Sequence, residues 1–354
     1  MEDKYLQGSH KLYWHLKRVN DWMEGGNIAP ITIDMGINQV CNIACKFCYY
    51  GVATNQKMDN IPTDILLNFL TEASELGVRA VYFAGDGEPL LHPGVWDAVT
   101  HGKSQGLDMG ISTNGLVIKP AKLQNMLEAL TMIRFTLPGS QPDIYAEVTG
   151  TRETTFYKVI KNIKKCVEIK NKHNLKVSIG IHMILIPDCV EDILPYAKLG
   201  RDLGVDYAVI KQFSENSGRE DSDLIVDYEK LEPIFKQAES YSTDTYNVIV
   251  KREKMGKFKR NYGKCYGCEF LTQISGNGDM YPCGNLYDNE EYFIGSILEK
   301  SFKEIIHGKR YREVMTKVNN VIDVQKDCGS RCRTNEINEF VWKLKQQPEH
   351  HNFI

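Results

Sequence analysis

The sequence predicts an α/β protein whose main part is a partial (β/α)6 TIM-like barrel, followed by a small cysteine-rich α+β domain. Six short apolar runs alternate with helical patterns up to about residue 225 of the 354-residue chain. The pattern then changes to short strands and glycine turns, and five of the ten cysteines lie beyond residue 264. Strands that alternate with helices form parallel βαβ units, and right-handed crossovers curl such units into a barrel.

Each element has a local cause. A lead-in over residues 1–30 carries apolar side chains at helical spacing. Pro62, Pro93 and Pro120 stand where helices should begin, and Gly77 and Gly204 stand where two of them should end. The expected strands are 31–38, 80–84, 109–113, 133–137, 176–186 and 207–212. The expected helices are 63–76, 95–105, 121–130, 154–173 and 190–203.

The change of pattern also predicts the domain division. We expect the barrel over residues 31–225, a linker helix over 226–245 and the second domain over 246–354. Hydrophobic residues make up 42% and charged residues 25%, as in ordinary globular proteins, and the net charge of −3 gives no general attraction to nucleic acid or membranes. The N-terminal residues lack the apolar stretch of an export signal, and cysteine-rich chains without one belong in a reducing compartment, so a cytoplasmic location is expected.

Three cysteines, Cys41, Cys45 and Cys48, occupy the run C-N-I-A-C-K-F-C-Y directly after the first expected strand. A four-iron cluster normally takes four thiolates, so three of them leave one iron open to a small molecule. A zinc knuckle is one alternative, but it usually has paired C-x-x-C units or later histidines. Buried structural thiols are the other, and the crowding of the three in one partly polar loop argues against them.

The spacing of the triplet, with Phe47 before the last cysteine, resembles the signature of the radical S-adenosylmethionine (SAM) enzymes. The resemblance implies a [4Fe–4S] cluster whose open iron chelates SAM, and a 5'-deoxyadenosyl radical that takes a hydrogen atom from a substrate. It also implies a six-unit partial barrel with its chemistry at the C-terminal strand ends, as in TIM barrels. Phe47 and Tyr49 should then border the adenine.

A second motif, G-D-G-E-P, follows the second expected strand. Glycines at a strand end let a ligand approach the backbone, and a carboxylate there can hold an ammonium group. The motif is similar to the GGEP sequence of the same family, which implies that Gly85, Gly87 and Glu88 bind the amino group of SAM. Asp86 departs from the glycine that many members have at this position.

Polar residues at later strand ends extend the implied SAM pocket. Ser112 and Asn114 lie in the ending I-S-T-N-G and are candidate SAM contacts, with a simple Asn–Gly turn as the alternative. Thr136, at the end of the fourth expected strand, is a candidate partner of the SAM ribose or carboxylate. Arg152 lies where some members place an arginine that pairs with the SAM carboxylate, and a solvated arginine at a helix start is the alternative.

A second cysteine field contains Cys265, Cys268, Cys283, Cys328 and Cys332, with an N-G-D hairpin turn between its second and third members. The spacing C-x12-G-x4-C resembles the opening of the SPASM and twitch extensions of radical SAM enzymes, which implies an auxiliary [4Fe–4S] cluster. Five cysteines complete only one four-thiolate site. We expect Cys265, Cys283, Cys328 and Cys332 as its ligands, with Cys268 as the substitute for Cys265. Structural zinc is the alternative, since cysteines on hairpins also form zinc ribbons.

The substrate is less evident from the sequence. Lys211 and Glu215 lie at and beyond the end of the sixth expected strand and are candidates for a general base or a substrate anchor. Cys189, beyond the fifth strand, is a candidate hydrogen-atom donor, with a packed structural thiol as the alternative. Further candidate contacts at the barrel mouth are Tyr82, Arg134, His182 and Gln212.

The implied reaction is dehydrogenation or epimerisation of a carbohydrate-like or other small polar substrate. A peptide-modifying radical SAM enzyme of the maturase type is the alternative. It is disfavoured because the residues before Cys41 are too few for a leader-binding domain, which needs about 50 residues. The basic stretch 251–264 indicates an anionic substrate or an acidic reductant such as flavodoxin or ferredoxin, unless it is a solvated surface. No nucleic-acid or membrane partner is expected.

Overall fold

One sheet runs through the whole molecule. The computed structural model describes residues 11–50, 59–214, 222–255, 260–329 and 332–353. Within them the sheet has ten strands. They are β1 (Thr32–Met35), β2 (Ala80–Phe83), β3 (Asp108–Thr113), β4 (Leu130–Thr136), β5 (Ser178–Leu185), β6 (Tyr207–Gln212), β7 (Asn247–Val250), β8 (Leu271–Ile274), β9 (Asp279–Tyr281) and β10 (Gly295–Ser296).

The helices of the described residues lie between and after these strands. They are α1 (Leu16–Met23), α2 (Thr63–Glu75), α3 (Val95–Ser104), α4 (Pro120–Ala129), α5 (Pro142–Thr149), α6 (Glu153–His173), α7 (Ile193–Leu203), α8 (Glu232–Glu239), α9 (Phe302–His307), α10 (Lys309–Val321) and α11 (Asn335–Lys345). Gly77 follows α2 with φ +83° and Gly204 ends α7 with φ +72°, the left-handed geometry that glycine allows at a helix end. None of the helices in the described part of the chain is long and apolar enough to cross a bilayer.

Strands β1 to β7 lie side by side in chain order and all run parallel. β8 pairs in parallel with the other side of β1, and β9 and β10 continue that edge as antiparallel strands. The sheet does not close, because β7 and β10 remain its two edges. The predicted α/β partial barrel with an added cysteine-rich domain is therefore confirmed.

Side-chain alternation gives the sheet two different faces, because successive residues of a strand point to opposite sides. The outer face packs against the helices and forms the main core, through residues such as Ile33, Val81, Ile111, Phe135 and Ile181. The inner face carries the other half of each strand, which mixes polar residues and glycines with a small apolar group formed by Met132, Val209 and Ile249. Its members include Asp34, Tyr82, Gly110, Ser112, Met132, Arg134, Thr136, Gly180, His182, Tyr207 and Lys211. Both faces therefore have distinct chemistry.

The boundary of the barrel sheet lies further along the chain than the expected one. Residues 226–245 were expected to form a linker helix, and α8 (Glu232–Glu239) lies there. β7, which was expected in the second domain, instead pairs in parallel with β6. The reason is its alternation: Val248 and Val250 join the core under the helices, while Ile249 packs on the inner face with Tyr207 and Val209. The sheet of the barrel therefore continues to residue 250.

The described part of the lead-in packs against the second domain. A separate small core joins Val19 and Trp22 of α1 to Phe270 and to Val341 of α11. The Trp22 ring meets the Phe270 ring edge to face at a centroid distance of 5.4 Å. The first and last α-helices of the described chain, α1 and α11, thus belong to the same small core.

Candidate active site

The first cysteine loop follows β1, so it lies at the C-terminal ends of the parallel strands. Backbone hydrogen bonds of 2.9 Å join Ala44 to Thr149 and Lys46 to Val148. Thr149 is the last residue of α5, so the loop is held between β1 and the end of that helix. The structure thus places the loop where the chemistry of parallel barrels is found.

The three thiols of this loop suit a cluster with three protein ligands. Cys41, Cys45 and Cys48 are all partly exposed. Burial raises the pKa of Cys41 to about 11 and raises that of Cys45 well above its usual value, and the charges of the neighbouring thiols add to both shifts. The three thiols belong to one short loop of eight residues. Iron would supply the positive charge that keeps them ionised.

Glu88 is buried at the C-terminal end of the sheet. Its carboxylate accepts hydrogen bonds from Leu90 N at 3.0 Å, Thr113 Oγ1 at 2.6 Å and Asn114 N at 2.7 Å. Burial raises the pKa of Glu88, and these hydrogen bonds oppose that shift. A carboxylate offers about four acceptor positions. Glu88 is therefore oriented by the protein and still fits the predicted contact with an ammonium group.

The two glycines of the G-D-G-E-P motif are required by close packing. A Cβ at Gly87 would meet the side chain and carbonyl of Asn38, and a Cβ at Gly85 would meet the backbone of Gly36. Asn38 Nδ2 also donates a hydrogen bond of 2.9 Å to Glu88 O. The motif is therefore fixed against the segment that leads from β1 into the cysteine loop. Its predicted contact with SAM stays a prediction.

The residues at the end of β3 have separate tasks. Ser112 is half-buried and lies on the inner face, next to Arg134 of β4. Asn114 is buried, donates from Nδ2 to Asn42 Oδ1 at 2.7 Å and accepts from Leu116 N at 3.0 Å. The polar groups of Asn114 thus form a turn and hold the cysteine loop. Of the two predicted SAM contacts, Ser112 is the one that faces inward.

The other predicted SAM contacts lie around the same loop. Phe47 packs against the main core, and the Tyr49 hydroxyl lies 3.5 Å from Gly284 O in the second domain. Thr136 lies on the inner face beside His182 of β5. Arg152 is exposed at the start of α6, just beyond the end of α5 that holds the loop. The roles of all four in SAM binding stay predictions.

The sequence analysis missed Thr113 and Asn42, which hold the motif and the loop together. Thr113 donates to Glu88, and Asn42 accepts from Asn114, so each makes one of the bonds described above. A signal for Thr113 existed, because a hydroxyl beside a strand-end asparagine can reach the next strand end. Asn42 gave no signal in the sequence beyond its place between two cysteines.

The second cysteine field is assembled from three separate segments. Cys265 is buried before β8, Cys283 follows β9, and Cys328 and Cys332 precede α11. Burial and then the charges of the other thiols raise the pKa of Cys328 to about 12 and raise that of Cys283 further. Each of these two thiols is thus affected by the charges of other cysteines of the field. In the described residues no three such side chains surround a single metal ion, and a four-iron cluster holds its thiolates farther apart than one ion does.

Cys268 is buried near Cys265 and also contacts α10. Its thiol is 3.7 Å from Met315 Sδ of α10. It also hydrogen-bonds to Cys265, which lowers the pKa of Cys265. Cys265 receives a further contact of 3.5 Å from Asn338 Nδ2 of α11. This arrangement favours Cys265 as the ligand, and the predicted ligand set stays a prediction.

Asp86 connects the first motif to the second domain. Both of its carboxylate oxygens accept a hydrogen bond from Gly276 N, at 2.9 and 3.0 Å, and Oδ2 also accepts from Gln39 Nε2 at 2.9 Å. Gly276 lies in the turn between β8 and β9, and a Cβ there would meet the carbonyl of Asn38. The hairpin before Cys283 is thus seated directly on the G-D-G-E-P motif.

The three predicted catalytic residues lie in different environments or outside the described residues. Lys211 is half-buried on the inner face of β6. Glu215 lies outside the described residues. Cys189 is fully buried in the core under the helices, and its thiol donates a hydrogen bond of 3.0 Å to Pro138 O. This geometry does not support a hydrogen-donor role for Cys189, because its sulfur lies in the packed layer and its proton is already donated.

A cavity of about 490 Å³ opens at the opposite end of the barrel, around the N-terminal ends of the strands. Arg333, which follows Cys332 directly, enters this cavity and pairs with Asp34 of β1 at 2.9 Å. The side chains of Tyr82, Met132 and Tyr207 also line it. The cavity is therefore distinct from the strand ends that hold the cysteine loop.

The fold and the two cysteine fields define an iron–sulfur protein built on a partial barrel. Family comparison makes this class specific: the radical SAM superfamily matches residues 35–198, and SPASM, an iron–sulfur cluster-binding domain, matches residues 265–334. The chain belongs to the radical SAM superfamily and carries a C-terminal SPASM domain. It is therefore an enzyme that binds SAM at a [4Fe–4S] cluster in the barrel. Its SPASM domain binds an auxiliary iron–sulfur cluster in addition.

Individual relatives agree with this assignment. The tungsten-containing aldehyde ferredoxin oxidoreductase cofactor-modifying protein of Pyrococcus furiosus is 24% identical over 303 residues, which cover 78% of this chain and 80% of the relative. The AdoMet-dependent heme synthase of Methanosarcina barkeri is 22% identical over 322 residues, 85% of this chain and 88% of the relative. The crystal structure of Streptococcus suis SuiB bound to S-adenosylmethionine has a TM-score of 0.66 at 18% identity, covering 86% of this chain and 72% of SuiB. The structural likeness shows a shared fold.

Proposed function

We propose that this radical SAM enzyme removes a hydrogen atom from a small polar substrate held inside the barrel, and that the net reaction is a dehydrogenation. The observation that carries the proposal is the polar inner face directly below the cysteine loop, where Ser112, Arg134 and His182 lie on neighbouring strands. A substrate on that face would meet the radical at the C-terminal strand ends. A carbohydrate-like molecule has the polarity that this lining suits.

The proposed cofactor contacts use the residues that the fold brings together. Cys41, Cys45 and Cys48 would hold the cluster, which together with SAM supplies the 5'-deoxyadenosyl radical. Glu88, oriented by its three hydrogen bonds, would hold the amino group of SAM. Ser112 faces the same space from β3. These residues position the cofactor, and no proton transfer by them is required for the hydrogen-atom step.

Dehydrogenation is favoured over epimerisation by the placement of the remaining thiols. An epimerisation needs a hydrogen-atom donor for the substrate radical. Cys189 and Cys166, which belong to neither cysteine field, are both fully buried in the core under the helices. The alternative is that the substrate radical loses a proton to water and an electron to the auxiliary cluster that the second field would hold. The field is joined to the barrel by the bond between Gly276 and Asp86.

A peptide-modifying activity is the second candidate. It is favoured by the similarity to SuiB, which has also been solved with its precursor peptide SuiA. The shared fold alone does not carry a substrate from one protein to the other. A short precursor peptide encoded beside this protein would favour the peptide activity, and neighbouring glycosyltransferases would favour the small-molecule activity.

A reductant and a compartment follow from the proposed chemistry. The cluster must be reduced before SAM is cleaved, so we propose a flavodoxin or ferredoxin as partner, in the cytoplasm. The basic stretch 251–264 is only partly available for such a partner. Lys251 is 8% exposed, and Arg252 is bound to Glu232 and Glu239 of α8. Docking of an acidic reductant would therefore rely on other basic residues as well.

The test is deuterium transfer. The reconstituted protein is incubated anaerobically with SAM, dithionite and a panel of uniformly deuterated sugars, sugar phosphates and hydroxy acids, and 5'-deoxyadenosine is analysed by mass spectrometry. We expect deuterium in 5'-deoxyadenosine with one class of small molecule, and a product two hydrogen atoms lighter. Incorporation only from a peptide would contradict the proposal, and a product of unchanged mass with an inverted centre would replace dehydrogenation by epimerisation.

A further inference from the structure

Three basic side chains gather on the inner face of the barrel. Arg134, His182 and Lys211 lie on the adjacent strands β4, β5 and β6, each in the C-terminal half of its strand. The register places Arg134 beside Gly180, His182 beside Val209 and Lys211 beside Ile184. All three therefore point toward the space below the cysteine loop. On the same face, Ser112 of β3 lies beside Arg134 and Thr136 of β4 lies beside His182.

Arg134 is positioned by an aromatic ring. Its guanidinium carbon lies 5.6 Å from the centre of the Tyr82 ring, a distance at which the ring attracts a cation. Gly110 lies between Tyr82 and Met132 in the sheet, and a Cβ there would meet both side chains. A glycine in the middle of a strand often marks such a close approach. The absence of a side chain at Gly110 thus leaves room for the Tyr82 ring, which contacts the Arg134 guanidinium.

His182 adds a neutral hydrogen-bonding group to the two cations. It is 5% exposed, and its Nδ1 has no hydrogen-bond partner among the described residues. Burial, followed by the charges of Arg134 and Lys211, lowers the pKa of His182 well below its usual value. The Tyr82 hydroxyl likewise lacks a partner in the described part of the chain. Two buried polar groups left in this way need a ligand or water, because an unmet group costs free energy.

Among the described residues, the charged side chains that face His182 are the cations Arg134 and Lys211. Asp34, an acidic residue of the same face, lies lower in the barrel and is paired with Arg333. Glu88 faces the cysteine loop and is engaged by backbone and side-chain donors. Arginine offers a planar pair of donors that matches carboxylate and phosphate oxygens, and lysine adds a compact charge. A neutral histidine can donate one further hydrogen bond.

We propose that Arg134, Lys211 and His182 bind an anionic oxygen group of the substrate, a carboxylate or a phosphate. This inference rests on the proposed function, because it requires that the substrate enters the barrel. The anionic group would anchor the molecule on β4 to β6, and the carbon skeleton would extend toward the C-terminal strand ends. The site therefore selects acidic small molecules over neutral ones of the same shape.

The test measures anion binding without any turnover. Inorganic phosphate and acetate are titrated separately into the reconstituted holoenzyme by anaerobic calorimetry. We expect saturable binding of at least one of them. Arg134→Gln and Lys211→Met should each weaken it about tenfold or more, since a hydrogen bond to a charged group contributes at least that much. Preference for phosphate would identify a phosphorylated substrate, and preference for acetate a carboxylic acid.

Matched controls separate a binding role from a structural one. Arg201→Gln and Lys161→Met remove the same charges from the exposed surfaces of α7 and α6, and should leave anion affinity unchanged. Arg134→Lys keeps the charge and should restore part of the affinity lost in Arg134→Gln. Circular dichroism and iron content identify any variant that does not fold.

Two outcomes would overturn the proposal: no saturable binding of either anion to the wild type, or equal affinity in the wild type, Arg134→Gln and Lys211→Met. Failure of the proposed function is detected independently. A wild-type protein that binds the anion through these residues but transfers no deuterium from any small molecule would retain this site and lose the proposed reaction.

Discussion

The two cysteine fields differ in how the chain builds them. The first lies within residues 41–48 and needs only one loop, whose three thiols remain partly exposed. The second draws Cys265, Cys283, Cys328 and Cys332 from segments before β8, after β9 and before α11. A single loop can present three thiolates and leave a coordination position open. Four thiolates from separate segments would close a site, which agrees with the proposal that the first field binds SAM and the second accepts an electron.

The two fields are also connected physically. The carboxylate of Asp86 accepts the N–H of Gly276 in the hairpin before the second field, and the Tyr49 hydroxyl reaches Gly284 O just after Cys283. Both contacts run from the SAM side to the auxiliary side. A substitution that breaks these contacts should therefore alter the position of the second domain relative to the SAM site.

The largest expected effect is at the first field. Cys41→Ala should abolish formation of 5'-deoxyadenosine from SAM, because only two thiolates remain to hold the cluster. The measurement is 5'-deoxyadenosine produced with dithionite by the anaerobically reconstituted protein. Cys166→Ala is the control, since that thiol is buried in α6 away from both fields. Normal 5'-deoxyadenosine formation by Cys41→Ala would refute the assignment of the loop.

The next effect separates the two fields from each other. Cys283→Ala should lower the iron content of the reconstituted protein by about four atoms, while SAM cleavage continues. Cys268→Ala should keep the full iron content, because Cys268 lies against Met315. Iron and zinc are measured together with the two variants. A loss of iron in Cys268→Ala but not in a matched Cys265→Ala would assign the ligand role to Cys268 instead of Cys265. Zinc in place of about four irons would contradict the assignment of an auxiliary iron–sulfur cluster to this field.

The contrast between the fields also explains what could be predicted from the sequence. The first field was recognisable because its three cysteines lie within eight residues of the sequence. The order of strands and helices followed from local periodicity and from prolines and glycines at helix ends. The contact between the second domain and the G-D-G-E-P motif could not be predicted, because the hydrogen bond between Asp86 and Gly276 joins residues far apart in the chain. The placement of β7 was missed for the same reason, since strand pairing depends on neighbours from distant segments.

Side-chain direction was the other limit. Alternation along a strand predicts which residues share a face, and it correctly groups Arg134 with Thr136 on the inner face of β4. It does not extend past the strand end, where Asn114 turns to hold the cysteine loop and Cys189 turns into the core. The contacts of residues just beyond the strand ends therefore could not be predicted from the sequence.

A smaller effect is expected at the connection between the domains. Asp86→Asn replaces one acceptor oxygen by a donor facing Gly276 N or Gln39 Nε2, which should reduce the free energy of unfolding by about 1–3 kcal/mol. Urea denaturation monitored by circular dichroism measures it. Asp97→Asn is the control, because that carboxylate is exposed on α3 and pairs only with Lys122 on the surface, so its change should be within about 0.5 kcal/mol. Equal effects of the two substitutions would show that the seat of the hairpin contributes no stability.

The smallest expected effect concerns pH and the inner face. Because the pKa of His182 lies well below its usual value of 6.5, the unfolded chain binds a proton there that the folded chain does not. Stability should therefore fall as the pH is lowered through about 6.5, and His182→Phe should reduce this dependence. The groups that face His182 are Arg134 and Lys211, whose positive charges oppose its protonation. Urea midpoints at about pH 5.5 and pH 7.5 measure the change, with the exposed His173→Phe as control. An identical pH dependence in His182→Phe and the wild type would contradict the buried neutral imidazole and weaken its place in the anion site.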